Sequence, residues 1–389
     1  MENKNTLYLD NAATTKVKQE VIDAMMPYFA DFWYNPSSLH SPAVEVRSQV
    51  ENSRKVAANF IGAEAKEVYF TSGGSESNCW AIKGWVENHL KNKESKLLII
   101  TTSIEHKSIM SCVKDYASNH AIIEYVKVDH VGAVDTDHLE NLLKQYDKQN
   151  YKMLVSIHLA NSEVGTIQKA GKISSIVREY NAILHMDAVQ AFGQIPINVK
   201  AMGIDMLSAS GHKIGTPKGV GILYKNKDIQ IEPLIHGSQM DFMRGSTENV
   251  PYIVGFAKAV ELSKHYTDKG SLITEAKRNY LIKKLEDIGC SLNGSRHNRL
   301  PNNINIKLPD GINGESAIYT LDMAGIFIAS GSACNSHSVE PSYVLKSIGL
   351  TDQEAMRSIR ITLSEDTGYD DIDLFVEELE KTIKLLAME

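Results

Sequence analysis

The sequence predicts an α/β protein, with a large unit on a mostly parallel sheet and a smaller α+β unit after it. Three observations carry that expectation. From about residue 65 to 225, short apolar runs alternate with amphipathic stretches. After about residue 260 the order becomes helix, two-residue alternation, a loop of small residues, strand and helix. No repeat, low-complexity tract or Pro/Gly/Ser-rich linker separates the two units. They should therefore pack tightly, and the cleft between them is the default place for a site.

The elements follow in order. Helices are expected at 16–29 and 41–61, the second opening on Ser41-Pro42 as an N-cap with proline at N1. Strands are expected at 67–71, 97–101, 123–128, 153–159, 183–186, 205–209 and 220–224, with helices at 75–90, 106–116, 136–145 and 173–180. Strand–helix–strand alternation of this kind makes a parallel sheet covered by helices on both faces. In the second unit, a helix at 272–288 precedes alternating Asn303-Ile304-Asn305-Ile306-Lys307-Leu308. A small-residue loop at 329–338, a strand at 357–363 and a helix at 369–386 complete the chain.

Composition excludes several classes. The 389 residues carry 41 basic and 48 acidic side chains, a formal charge of −7, with no basic block to bind nucleic acid. At 43% hydrophobic and 23% charged, the chain is globular and buries a large core without staples. Its four cysteines, Cys79, Cys112, Cys290 and Cys334, show neither CxxC spacing nor a disulfide framework, and no metal site is expected. The start, Met1-Glu2-Asn3-Lys4-Asn5, is polar, and no apolar run reaches the roughly 18 residues of a membrane span. A soluble cytoplasmic protein with reduced thiols is expected.

Seven segments could carry chemistry. Thr71-Ser72-Gly73-Gly74-Ser75-Glu76-Ser77 turns from strand to helix, and exposed N–H groups there make an anion site, although a plain helix start reads the same way. It has neither P-loop nor dinucleotide-loop spacing. Ser208-Ala209-Ser210-Gly211-His212-Lys213 ends a strand in a polar turn that presents a lysine. Desolvated, such a lysine becomes an amine nucleophile, and solvated it is an ordinary loop residue. Asp187 closes an apolar strand, where a carboxylate needs a cationic partner such as the protonated pyridine of pyridoxal phosphate (PLP), or else caps the next helix. Gln190 lies within reach of the same ligand. His106 and Asn161 follow two further strands, so four successive strands each deliver a polar group to the edge where open α/β sheets bind ligands. Finally, Cys334 sits in Ala329-Ser330-Gly331-Ser332-Ala333-Cys334-Asn335-Ser336-His337, a run too small and polar to bury, where a thiolate would be exposed. Cys79, Cys112 and Cys290 read as inert helix cysteines. Arg360, in an alternating strand, could clamp a carboxylate bidentately or be a plain surface arginine.

These motifs resemble, nearly end to end, the cysteine desulfurases of the NifS/IscS type, PLP enzymes of the class-V aminotransferase family. The likeness includes Tyr8-Leu9-Asp10-Asn11-Ala12-Ala13-Thr14-Thr15, Asn35-Pro36-Ser37-Ser38-Leu39-His40, Ile104-Glu105-His106-Lys107, Asn161-Ser162-Glu163-Val164-Gly165, Ser210-Gly211-His212-Lys213 and Glu340-Pro341-Ser342-Tyr343-Val344-Leu345. It implies the aspartate-aminotransferase-like fold, with a large PLP-binding domain at 15–257 and a small domain formed by 1–14 and 258–389. It also implies roles. Lys213 holds PLP covalently and moves protons at the substrate Cα. Asp187 pairs with the pyridinium nitrogen, His106 stacks on the ring and serves as acid/base, Gln190 bonds the ring hydroxyl and Asn161 lies near that hydroxyl and the substrate. Gly74, Ser75, Ser208, Ser210 and His212 surround the phosphate, with Thr247 reaching it from the partner of a homodimer. Arg360 holds the substrate carboxylate, and the Cys334 thiolate takes sulfur from L-cysteine as a persulfide, leaving L-alanine. The long small-residue loop implies delivery to Fe–S scaffold or tRNA-thiolation proteins.

The chain departs from the family pattern at Arg244-Gly245-Ser246-Thr247, where Arg-Ser-Gly-Thr is usual, and at Ser162, where a second Asn is usual. It also carries Asn335-Ser336-His337 after the cysteine. A protonated His337 would depress the Cys334 pKa, or it is a solvated loop residue. Selenocysteine lyase, another PLP lyase or an aminotransferase on the same fold are the alternative activities, and Cys334 is the residue an aminotransferase does not need. A non-enzymatic adaptor would give Lys213, Asp187 and His106 no reason to coincide.

Overall fold

Apolar strands alternating with amphipathic helices build a seven-stranded sheet. The computed structural model describes residues 6–91, 96–330 and 340–388. A two-residue strand β1 (Leu7–Tyr8) precedes the sheet, whose strands are β2 (Val68–Thr71), β3 (Lys96–Thr102), β4 (Ile122–Val126), β5 (Tyr151–His158), β6 (Ile183–Asp187), β7 (Met206–Ser210) and β8 (Gly221–Lys225). They lie in the order β2-β8-β7-β6-β5-β3-β4; only β8 runs antiparallel to its neighbours, β2 and β7, and the rest pair in parallel. Residues Leu97 to Ile100 are buried without a break, as expected of a strand covered on both faces.

The helices α1 (Gln19–Met25), α2 (Pro27–Ala30), α3 (Ser41–Phe60), α4 (Gly74–Leu90), α5 (Lys107–Asp115), α6 (Thr136–Asp147) and α7 (Ala170–Glu179) accompany this sheet. The single helix expected at 16–29 is two pieces, because Pro27 has no N–H to continue α1 and instead opens α2. Helix α3 begins where expected but is capped by His40, whose ring nitrogen accepts the Ala43 N–H at 3.4 Å; Ser41 and Pro42 are already helical. Trp80 and Trp85 of α4 are fully buried and fill the layer beneath the sheet.

The second unit holds β9 (Ser291–Leu292), β10 (Asn303–Lys307), β11 (Ile326–Phe327), β12 (Ala329–Ser330) and β13 (Ser358–Thr362). Four of these form an antiparallel sheet in the order β12-β13-β10-β9, packed on the closing helix Tyr369–Leu386 through a separate cluster that includes Ile304, Ile306, Ile361, Phe375 and Leu379. The remaining strand, β11, pairs in parallel with β1. A third small cluster joins Ile104 and Val164, from loops after β3 and β5, to Val344, Leu345 and Ile348. No helix among the described residues is long and apolar enough to cross a membrane.

Candidate active site

The carboxyl ends of β3, β5, β6 and β7 point the same way, as parallel pairing requires, and the turns after them meet at one cavity of about 270 Å³. Gly74 and Ser75 reach its wall from the start of α4, and His106, Asn161, Asp187, Gln190, Ser210, His212 and Lys213 from the strand ends. This is the edge at which open α/β sheets bind ligands.

Each position has a local cause. Gly73, with φ of +149°, stands outside the range that side chains tolerate and caps α4. A Cβ on Gly74 would lie 2.5 Å from Val189 Cγ2, so only glycine seats the helix start this close to the turn after β6. The first N–H groups of α4 have no partner within the helix and aim a positive dipole end at the cavity. Glu76 in that turn is held below its ordinary pKa: burial opposes its charge, but Arg244, at 3.0 Å, and hydrogen bonds from Ser72 together outweigh burial.

Asp187 is 5% exposed at the end of β6. Its carboxylate accepts hydrogen bonds from Val189 N–H at 2.9 Å and Asn78 Nδ2 at 2.7 Å. No helix follows, so the carboxylate braces a turn and faces the cavity. Lys213 Nζ donates to the carbonyls of Ala12 and Ala13, the latter at 2.7 Å, so the N-terminal segment forms the other side of the lysine's pocket. Gln190 Nε2 bonds the same Ala12 carbonyl at 3.0 Å. His212 is pushed down to about 4 by burial and by the charges of Lys213 and Lys218, which leaves a neutral imidazole. Asn161 spends its Oδ1 on the N–H groups of Glu163 and Val164 and donates to Ile104 O, so it shapes its turn while lining the cavity.

Three expected site residues stand apart from this wall. Ser208 is fully buried two residues inside β7, where its hydroxyl meets His185 Nε2 at 2.9 Å, and only Ser210 at the strand end reaches the cavity. Arg360 lies behind Ser162, bonding its carbonyl at 3.3 Å and pairing with Asp10 at 2.7 Å. Thr247 is exposed outside the cavity. Cys334, with His337, lies outside the described residues. Of the cysteines read as inert, Cys290 is buried and pushed up to about 12. Cys79 is half-buried, and a hydrogen bond between its thiol and that of Cys112 lowers the Cys79 pKa and raises that of Cys112.

Other cavity residues had no sequence signal of their own. His158 ends β5 opposite Asp187 in register and sits 2.9 Å from the buried Glu105 carboxylate. Asn78, one turn into α4, reads as an ordinary helix residue; only the contact with Asp187 marks it.

The donor set fits PLP. It offers an amine for an aldehyde (Lys213), a carboxylate for a pyridine nitrogen (Asp187), and a glycine-seated helix start with Ser75, Ser210 and His212 for a phosphate.

Comparison with known proteins agrees. Residues 7–375 match the aminotransferase class-V family. The cysteine desulfurase IscS of Dictyoglomus turgidum (strain DSM 6724 / Z-1310) is 42% identical over 386 residues, spanning 98% of this chain and 96% of that one. A solved NifS-like protein superposes with a TM-score of 0.90 at 33% identity over 98% of this chain and 100% of that chain. SspA in complex with cysteine does so with a TM-score of 0.81 at 35% identity, over 92% and 99%. With full-length likeness of this order on top of that site, the chain belongs to the aminotransferase class-V family, among the cysteine desulfurases of the IscS and NifS type.

Proposed function

We propose that this chain is a PLP-dependent cysteine desulfurase that takes sulfur from L-cysteine, releases L-alanine and holds the sulfur as a persulfide on Cys334. The carrying observation is the convergence of Lys213, Asp187, His106, Gln190 and the Gly74–Ser75 turn on one cavity. The acceptors are Fe–S scaffold or tRNA-thiolation proteins in the cytoplasm, and the working form is a homodimer in which Thr247 reaches the other subunit's phosphate site. The large domain at 15–257 and the small domain of 1–14 with 258–389 match two separate hydrophobic clusters and the β1–β11 pairing, which support that division.

Bound PLP supplies an electron sink for negative charge at the substrate Cα. Lys213 anchors the cofactor and carries the Cα proton from a pocket closed by the Ala12 and Ala13 carbonyls. Asp187, buried and doubly hydrogen-bonded, keeps the pyridine nitrogen protonated. His106 supplies an imidazole at the cavity, and Gln190 and Asn161 serve the ring hydroxyl. Gly74, Ser75, Ser210 and neutral His212 cradle the phosphate by hydrogen bonding, with α4's dipole adding to it. Arg360, anchored on Ser162 at the wall, receives the substrate carboxylate. The Cys334 thiolate then attacks the substrate sulfur. An S–S bond forms, the C–S bond breaks with its electron pair left on carbon, and that carbon takes a proton and leaves as L-alanine.

The test is alanine and sulfide released from L-cysteine under excess dithiothreitol, for wild type and Cys334→Ala. Equal amounts from wild type, with both lost in the variant, are expected. Full turnover in Cys334→Ala would make the enzyme a lyase, and no alanine from either would remove L-cysteine as substrate.

A further inference from the structure

Asn78 is 1% exposed, and its amide serves two functional side chains at once. Nδ2 donates to Asp187 Oδ2 at 2.7 Å and to Ser108 Oγ at 3.0 Å, which uses both hydrogens of the amide. Its Oδ1 is buried without a partner among the described residues. The orientation is nevertheless determined, because a flipped amide would set its oxygen against the Asp187 carboxylate.

The second arm has a direction too. Ser108 N–H donates to His106 Nδ1 at 3.1 Å, so that nitrogen is an acceptor. Ser108 Oγ lies 2.8 Å from the same nitrogen and must also donate to it. The hydroxyl therefore accepts from Asn78 and passes its own hydrogen to His106, which places the ring proton of the neutral imidazole on Nε2.

We propose that Asn78 is a positioning residue that braces the Asp187 carboxylate and, through the Ser108 hydroxyl, the His106 ring as one unit. The inference rests on the PLP-dependent reading above, since it assigns the pair a shared purpose: the group beneath the pyridine nitrogen and the site's acid/base are prepared by the same buried amide. Asp187 would otherwise keep only one hydrogen bond in a buried setting, and a carboxylate so depleted holds its charge less well.

The experiment compares wild type, Asn78→Ala and Ser108→Ala. Three readouts are taken: PLP affinity, the pH at which the bound cofactor's visible absorption changes, and the tautomer and Nδ1 hydrogen bonding of His106 from 15N shifts in the cofactor-free protein. Asn78→Ala should bind PLP about tenfold or more weakly, as loss of a charge-assisted hydrogen bond implies, with the spectral transition moved by about one pH unit. Ser108→Ala should keep PLP affinity within about twofold, since the Asp187 arm is intact, yet move the His106 Nδ1 shift, because that nitrogen then keeps only the backbone N–H of residue 108 as donor. Wild-type affinity, spectrum and tautomer in Asn78→Ala would overturn the proposal. If that variant does not fold, unchanged His106 15N shifts in Ser108→Ala overturn it instead. Failure of wild type to bind PLP would overturn the functional reading, while the tautomer measurement, made without cofactor, still decides the Asn78–Ser108–His106 relay.

Discussion

Glu163 lies two residues past Asn161, 2% exposed, with Oε1 unpartnered among the described residues. Burial raises its carboxyl to about 7 despite a hydrogen bond from Ser342 and the charge of Arg360. The direction fixes a pH dependence. Between its ordinary 4.5 and about 7 the folded chain keeps a proton that the unfolded chain has released, so stability falls as pH rises through that window. The full effect is about 3 kcal/mol at most. Glu163→Gln keeps an acceptor for Ser342 and removes the titration. Urea unfolding should show it more stable than wild type by about 1–3 kcal/mol at pH 8 and nearly equal at pH 5. The same difference at both pH values would mean that Glu163 does not titrate in this window.

Helix α4 is the element on which the site depends, because its first turn carries the anion-binding N–H groups and its second the Asp187 clasp. Gly74→Ala tests that placement. Alanine is the better helix former by about 1 kcal/mol. The added Cβ, 2.5 Å from Val189 Cγ2, costs about 1–3 kcal/mol by overpacking or pushes the helix start off the turn after β6. Stability should therefore change little while PLP affinity drops about tenfold or more; unchanged affinity would mean the helix start does not hold the cofactor. Elements such as α4 were legible in the sequence because apolar periodicity reports burial directly, and β6 and the helix Tyr369–Leu386 lie within a residue of expectation. The misses have local causes. Pro27 divides a periodic stretch by removing one donor, and the His40 cap depends on ring orientation, which pattern does not encode. Lys213 and Asp187 stood out by chemistry at strand ends. Asn78, His158 and the Ala12 and Ala13 carbonyls did not, since their part arises only when segments distant in sequence meet.

At the scale of the whole molecule, the segment from Leu7 to Thr15 stitches the second unit to Lys213. Leu9 N–H bonds Phe327 O at 2.8 Å, and Thr362 N–H bonds Leu9 O at 2.7 Å, which fastens the segment to the second unit. Thr15 Oγ1 accepts the Gly215 N–H at 2.9 Å, just past Lys213, and Ala12 and Ala13 hold the lysine itself. Between these ends Asp10 pairs with Arg360 at 2.7 Å, with side chains 18% and 4% exposed. Breaking a fully buried pair from one side costs about 3–5 kcal/mol, and the partial exposure of Asp10 reduces this to about 1–3 kcal/mol. Asp10→Ala should lose that much stability in urea. If the segment acts as a single tie, the amides of Leu9, Thr362 and Gly215 should exchange faster together in the variant, although Gly215 lies far from the substitution in sequence. Faster exchange at Leu9 and Thr362 with Gly215 unchanged would show instead that the lysine pocket holds its shape independently of the second unit. In that case Arg360 and Lys213, proposed to receive substrate and to act on it, would be positioned by separate parts of the fold.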